Sequence, residues 1–171
     1  TVDRVAAEEF GGRLAAINDG SSGTPLNVLW HGLERDTDAD SARVALGFLL
    51  GDYRFDAYQQ DRTDPASRGK VTVLGDEAAA AVQFHNDLVH VAASVYLARD
   101  LASEPANVIY PQSFVERVTD EFEGLDDIRI RVLDEKELAG RGMGAHLGVG
   151  SGSTRPPRLL VIEYRGGGDE P

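Results

Sequence analysis

The stretch KVTVLGDEAAAAVQFHNDLVHVAASVYLARDLAS, running from Lys70 to Ser103, changes its apolar period partway along, and that change decides the fold class. Lys70-Val71-Thr72-Val73-Leu74 alternates and is rich in β-branched residues, the pattern of a strand. Gly75 and Asp76 punctuate it. From Glu77 the apolar residues recur by threes and fours, as Ala81, Phe84, Leu88, Val91, Val95, Ala98 and Ala102. Such steps share one side of a helix with ~3.6 residues per turn, so the spacing predicts one long amphipathic helix over residues 77–103. Alanines fill much of the stripe and the repeat is short, which favours a helix packed on a domain, or linking two, over a coiled coil. Leu88, Val91 and Val95 are then expected to be buried, and a charge at Val91 to cost several kcal/mol.

Working outward, residues 2–18 place Val5, Phe10, Leu14 and Ile17 at roughly helical spacing and stop at Asn18-Asp19-Gly20-Ser21-Ser22-Gly23. Leu26-Asn27-Val28-Leu29-Trp30 reads as a short strand. Thr37-Asp38-Ala39-Asp40-Ser41 offers capping oxygens to a helix over residues 41–51, whose face Val44, Ala45, Phe48 and Leu49 is expected to be buried. Its small residues Ala45 and Gly47 permit a close neighbour. Residues 61–69, polar and interrupted by Pro65, read as a surface loop.

On the other side, Pro105 and Pro111 bracket an expected extended segment, Ala106-Asn107-Val108-Ile109-Tyr110. A helix over residues 112–122 follows. Ile128-Arg129-Ile130-Arg131-Val132-Leu133 then alternates as a half-exposed strand does, and Asp134-Glu135-Lys136-Glu137-Leu138 opens a short helix. After a glycine-dense stretch to Gly152, Arg158-Leu159-Leu160-Val161-Ile162-Glu163-Tyr164 is expected to form a largely buried strand. Alternating strands and helices argue an α/β fold. The first helix has no preceding cap and the last strand runs into Gly166-Gly167-Gly168, so the chain is expected to be truncated at both ends.

The 171 residues are 42% hydrophobic and 27% charged, ordinary values for a globular protein with material for a core. No apolar run approaches the ~20 residues that cross a bilayer, and the N-terminus lacks the pattern of a secretory signal. With no cysteine there can be no disulfide or thiolate metal site, and a cytoplasmic location is the default. Seventeen Lys and Arg against 29 Asp and Glu give a net charge of −12, which repels a phosphate backbone and makes nucleic acid an unsuitable partner.

Candidate chemistry within the chain is sparse. Of the four histidines, His31, His85, His90 and His146, no pair has the i, i+4 spacing that lets two rings share a zinc. Gly148-Val149-Gly150-Ser151-Gly152 fails as a dinucleotide fingerprint because Ser153 stands where the third glycine belongs. It reads instead as a turn bringing the backbone close to a neighbour. Asp36-Thr37-Asp38-Ala39-Asp40 lacks the glycine and the glutamate of a calcium loop, and capping explains it better. No nucleophile elbow is paired with an acid and a base. No residue is singled out as catalytic, cofactor-binding or metal-binding.

Three ordered stretches resemble leucine aminopeptidases, also called cytosol aminopeptidases. Arg99-Asp100-Leu101-Ala102-Ser103-Glu104-Pro105-Ala106-Asn107-Val108 is similar to the family's interdomain signature. Gly142-Met143-Gly144-Ala145-His146-Leu147-Gly148-Val149-Gly150-Ser151-Gly152-Ser153, with Pro156-Pro157-Arg158-Leu159 and Ile162-Glu163-Tyr164, resembles the opening of its catalytic domain. Gly47-Phe48-Leu49-Leu50-Gly51-Asp52-Tyr53-Arg54-Phe55-Asp56 fits the segment before the linker. Ser151, His146 and Tyr110 depart from the family's usual glutamine, aliphatic and threonine.

The resemblance implies a macrodomain-like N-terminal α/β domain ending within residues 1–75, a linker over residues 76–110 and the start of a catalytic domain over residues 111–171. It implies a homo-hexameric enzyme that hydrolyses N-terminal amino acids from peptides with two divalent metals, zinc or manganese. Such paired metals polarise the peptide carbonyl and lower the pKa of a bound water. The lysine and the aspartate that in the family follow soon after this last strand, and its later Asp-Ala-Glu-Gly-Arg motif, fall beyond Pro171, so this segment is expected to supply scaffold, linker and oligomer contacts and to be inactive alone. Two other readings stay open: a macrodomain-like module binding a nucleotide such as ADP-ribose, and a non-catalytic assembly partner.

Overall fold

The computed structural model describes residues 4–21, 23–30, 40–60, 68–75 and 78–167. The chain divides into two compact units, Thr1–Ser103 and Glu104–Pro171. The expected loop over residues 61–69 lies mostly outside the described residues.

In the first unit, α1 (Arg4–Asp19) leads to β1 (Leu26–Trp30), α2 (Asp40–Asp52) and β2 (Val71–Gly75). Then come α3 (Ala78–Gln83), a π-helical segment Phe84–Leu88, and α4 (Val89–Ser103). β1 and β2 pair in parallel, Leu26 opposite Val71 and Trp30 opposite Gly75. Parallel partners need a crossover, and α2 lies in it, so β1, α2 and β2 make a βαβ unit.

Helix α2 is apolar on two sides, more than the one expected face. Val44, fully buried, joins Ala7, Leu14, Val28 and Trp30 in one cluster, with Leu26, Phe48, Val71 and Val73 packed around it. Ala42 and Leu46 join Ala80, Leu88 and Ala92 in a second. The α1–α2 crossing is close because two glycines face it: a Cβ added at Gly11 would stand 2.1 Å from the Val44 carbonyl oxygen, and one at Gly47 2.0 Å from that of Glu8. An Arg43–Glu8 ion pair of 2.9 Å spans the same crossing.

The expected single helix over residues 77–103 is broken in phase. At Phe84–Leu88 it widens into a π-helical turn in which the Val89 N–H donates to the Phe84 carbonyl. One extra residue in a turn rotates everything after it. After the turn Ala92 is therefore buried while Val91 is 47% exposed and Ala98 and Ala102 are exposed; Leu88 is buried within it, and before it Ala80 rather than Ala81 is buried. The expectation of a buried Val91 is corrected, because the three-and-four pattern assumed an unbroken period; Leu88 is buried as expected and Val95 is half-buried.

The second unit holds α5 (Pro111–Glu121), β3 (Ile128–Leu133), α6 (Glu135–Gly140), α7 (Gly144–Gly150) and β4 (Leu159–Tyr164). Val115, Val118, Leu133 and Leu138 are its buried apolar residues. β3 and β4 are antiparallel, Ile128 opposite Tyr164 and Leu133 opposite Leu159. Asp134 caps α6: its carboxylate accepts from the N–H groups of Lys136 (2.9 Å) and Glu137 (2.8 Å), and the Glu137 carboxylate accepts from the Asp134 N–H.

Three expectations for this unit are corrected. Ala106–Tyr110 is a turn rather than an extended segment, with the Val108 and Ile109 N–H groups donating to the Pro105 carbonyl at 2.8 and 2.9 Å. Tyr110 is extended, and Ser113 Oγ accepts from its N–H at 3.0 Å to start α5. The glycine-dense stretch contains helix α7, and nothing lies within 4 Å of a Cβ placed on Gly144, Gly148 or Gly152. Close approach is confined to Gly150, 3.0 Å from Pro157. β4 is not largely buried: Val161 to Tyr164 are exposed, since among the described residues it pairs with β3 alone.

Candidate functional site

His85 and His90 are exposed on the π-helical segment and on α4, with the His85 ring edge-on to Phe84. His146 sits on α7, its Nε2 3.2 Å from the Arg158 carbonyl oxygen. His31 and the acidic run Asp36 to Asp40 fall outside the described side chains. Among the described residues no three His, Asp or Glu side chains gather where a metal could sit. A two-metal centre needs converging carboxylates, so these residues do not fit one. No described helix is long and apolar enough to cross a membrane.

The signature stretch from Arg99 to Val108 divides at the unit boundary, and its first residues fasten α4 to the end of α2. The last carbonyls of a helix have no partner within it. Here the Tyr96 hydroxyl donates to the Leu49 carbonyl, Arg99 Nη1 to that of Leu50 at 2.7 Å, and Arg68 pairs with Asp52 at 2.5 Å. The positive guanidinium groups also suit the negative end of the helix dipole. The Tyr53 hydroxyl donates to Asp100 Oδ1 at 2.7 Å, its ring lies edge-on to Tyr96, and the Arg99 guanidinium stands 5.2 Å above it.

Both phenols are harder to ionise than usual. Burial raises the Tyr53 pKa first, then its hydrogen bond to Asp100, against Ser103 and Arg99. For Tyr96 burial again leads, followed by the Asp52 charge. Such a phenol stays a hydrogen-bond donor at neutral pH rather than acting as a base.

In the second unit the rest of the stretch is tied to the residues before β4. The Arg155 guanidinium lies 3.8 Å from the Tyr110 ring centroid and donates to the Ala106 carbonyl at 3.0 Å. Arg158 Nε donates to Gln112 Oε1 at 2.7 Å, and Arg117 pairs with Glu104 at 3.0 Å. Sequence reasoning missed both anchor sets. Arg99 and Asp100 were visible in the signature, but nothing in the spacing ties them to Tyr53 or Leu50. Tyr110, read as a departure from a capping threonine, serves as a platform for Arg155.

A cleft of about 780 Å³ in the first unit is bounded by α2, β2 and the α3–π-helical stretch. Ala42, Ala45, Phe48, Ala80 and Phe84 make it mainly apolar, with Ser41, Lys70, Thr72 and His85 as its polar members. It holds no pair of groups arranged as nucleophile and base.

Known proteins match over most of the chain. A probable cytosol aminopeptidase of Rhizobium etli (strain CIAT 652) is 43% identical over 140 residues, 80% of this chain and 28% of that protein. One of Gluconobacter oxydans (strain 621H) is 37% identical over 171 residues, 99% of this chain and 33% of that protein. The chain thus spans about a third or less of the length of these curated relatives. A tomato leucine aminopeptidase mutant shares the fold with a TM-score of 0.80 at 21% identity, covering 92% of this chain and 32% of that one. The bottromycin maturation enzyme BotP, in complex with Mn, aligns with a TM-score of 0.69 at 25% identity over 91% of this chain and 33% of its own. The cytosol aminopeptidase of Coxiella burnetii aligns with a TM-score of 0.66 at 25% identity, over 94% and 31%. Residues 96–171 match the model of the cytosol aminopeptidase family, catalytic domain, and it is to a portion of that family's proteins that the chain is similar.

Proposed function

We propose that these residues are a portion of a metal-dependent leucyl aminopeptidase, a hydrolase that removes N-terminal amino acids from peptides in the cytoplasm. The observation that carries the reading is the Gluconobacter match, which runs through 99% of this chain and only 33% of its relative. In this reading residues 1–75 complete an N-terminal macrodomain-like domain, residues 76–110 link it onward, and residues 111–171 open the catalytic domain. The segment supplies scaffold, linker and contacts for a homo-hexamer. Zinc or manganese, two ions per site, belongs to the remainder of the protein, and no numbered residue here is given a catalytic or metal role.

The chain's own part is to hold parts in place. Tyr96, Arg99 and Arg68 close the end of α2, and Arg155 and Arg158 tie the approach to β4 onto the signature turn and α5. Positioning of this kind matters because small misplacements at a reacting centre are costly to catalysis. The test is hydrolysis of leucyl-p-nitroanilide with added zinc or manganese. The 171-residue chain releases no nitroaniline, and the longer protein that contains it does. Metal-dependent turnover by the short chain, or none by the long one, overturns the proposal.

A further inference from the structure

We infer that Arg155, stacked on Tyr110, is a positioning residue that fixes the register in which β4 pairs with β3. The need for such a device is visible in β4 itself. Leu159 and Leu160 are half-buried and the residues from Val161 to Tyr164 are exposed, so neither side of the strand is held by a buried face. Both sides carry apolar residues, Leu159 and Val161 on one and Leu160, Ile162 and Tyr164 on the other. Register is weakly specified where burial does not choose a face, and a one-residue slip exchanges the two sides. Glu163 stands opposite Arg129, but its carboxylate already accepts from Arg165 at 2.6 and 3.0 Å. Nor does a tight turn set the pairing, because residues 134–158, with α6 and α7, lie between the strands.

The two arginines at the entry to β4 supply what burial does not. Pro156 and Pro157 lock φ at two successive residues, so Arg155 and Arg158 stand at the ends of a stiff strut. At one end the Arg155 guanidinium lies 3.8 Å from the Tyr110 ring centroid and donates to the Ala106 carbonyl at 3.0 Å. At the other, Arg158 Nε donates to Gln112 Oε1 at 2.7 Å, and the Arg158 carbonyl oxygen is 3.2 Å from His146 Nε2. A tie at Arg158 alone holds one point and leaves the strut free to swing; the second tie, at Arg155, sets its direction. The platform is itself fixed, since the Tyr110 N–H donates to Ser113 Oγ at 3.0 Å and its carbonyl accepts from the Phe114 N–H at 2.8 Å. Ser151 to Thr154 are exposed, so Arg155 is where the connection from α7 is caught. Leu159 follows the strut directly and is thereby placed opposite Leu133.

The consequence for catalysis rests on the proposed reading, in which the polypeptide continues past β4 into a peptidase. A one-residue slip carries whatever follows the strand along by ~3.3 Å, and a misplacement of ~1 Å already costs an enzyme on the order of a hundredfold. Arg155 and Tyr110 act through the strand, not on substrate.

The test compares Arg155→Ala, Tyr110→Leu and Tyr110→Phe in the 171-residue chain and in the longer protein. In the short chain, cross-strand nuclear Overhauser contacts read the register, Ile130 with Ile162 and Val132 with Leu160 in the parent. Arg155→Ala and Tyr110→Leu should add a second set that pairs Ile130 with Val161 or Glu163. Tyr110→Phe keeps the aromatic face and should keep the parent set. In the longer protein, kcat for leucyl-p-nitroanilide should fall about tenfold or more in the first two variants with KM within about twofold, and Tyr110→Phe should stay near the parent. A single parental register in Arg155→Ala and Tyr110→Leu overturns the inference, as does a Tyr110→Phe chain that slips as far as Tyr110→Leu. A slipped register with unchanged kcat overturns the positioning role. If Arg155→Ala does not fold, the two Tyr110 variants decide. A longer protein that fails to hydrolyse the substrate even in its parent form overturns the peptidase reading, and the register in the short chain still decides the part played by Arg155.

Discussion

Substituting Gly47 by alanine tests the packing of the first unit more sharply than any truncation, because helix propensity and tertiary contact pull in opposite directions. Alanine in place of a mid-helix glycine gains about 1 kcal/mol from backbone entropy. At Gly47, however, the new Cβ would stand 2.0 Å from the Glu8 carbonyl oxygen and 2.6 Å from its carbon. Ordinary contact begins at 3.4 Å, so the crossing must open by roughly 3.4 − 2.0 = 1.4 Å. The obstacle is backbone, and no rotamer change relieves it. Opening α1 from α2 draws Ala7 and Leu14 away from Val28, Trp30 and Val44. Because the obstacle is backbone, overpacking here falls at the upper end of its usual range, about 3 kcal/mol or more, so the net loss is about 2 kcal/mol or more. In a unit of this size each lost kcal/mol lowers Tm by roughly 4–8 °C. Gly12, in the same helix α1, is the matched control: its Cβ would stand 3.8 Å from the Gly47 carbonyl oxygen, ordinary contact. Gly12→Ala should therefore stabilise by about 0.5–1 kcal/mol. Thermal and urea unfolding followed by Trp30 fluorescence reads both, since the single tryptophan is buried beside Phe10, ring centroids 5.3 Å apart. A Gly47→Ala chain that melts at or above the parent refutes the close crossing.

The phase shift at the π-helical turn makes Val91→Asp a change of less than about 1 kcal/mol, while Leu88→Asp places a charge in the second cluster and should cost several times more; equal urea midpoints for the two variants would refute the shifted register. Tyr53 and Tyr96 both have raised pKa values, so the folded chain holds their protons above pH 10, where the unfolded chain has begun to release them. Their contribution to stability is complete below pH 10 and falls as pH climbs through the raised values; urea midpoints between pH 9 and 11 should drop more steeply in the parent than in the Tyr53→Phe/Tyr96→Phe variant, and parallel slopes would exclude the two phenols.

Elements written by local period were legible. β1, β2, β3 and the helix after Pro111 lie within a residue or two of the positions their alternation or helical spacing indicates, because those signals depend on neighbours in sequence. What failed depended on contacts. The Pro-bracketed segment became a turn because the Pro105 carbonyl accepts two N–H groups and Ser113 holds Tyr110, none of which a dipeptide preference for extended backbone before proline can foresee. α7 formed through three glycines because Ala145, His146, Leu147 and Val149 lie between them and the Leu147 N–H reaches the Met143 carbonyl. The anchors of the signature were hidden for the same reason: Tyr53 and Asp100 are 47 residues apart.

The same distinction explains why β2 and β4 read as strands and yet have open surroundings. A sequence of alternating valines reports the environment for which a strand is suited, not the chain present to provide it. Val71 and Val73 line a cleft and β2 pairs, among the described residues, with β1 alone, while Val161 and Ile162 of β4 lie 42% and 44% exposed although their composition is that of a covered strand. Parallel sheets bury both faces and their strands, so a two-stranded parallel pair is marginal by itself. The first unit compensates through the clusters on both sides of α2, which carry most of its buried side chains. Stability should then reside in the helices and their crossing, with the sheet edge as its most labile part. In the 171-residue chain, exchange at Val71 and Val73 faster than at the α2 amides is the order this arrangement requires.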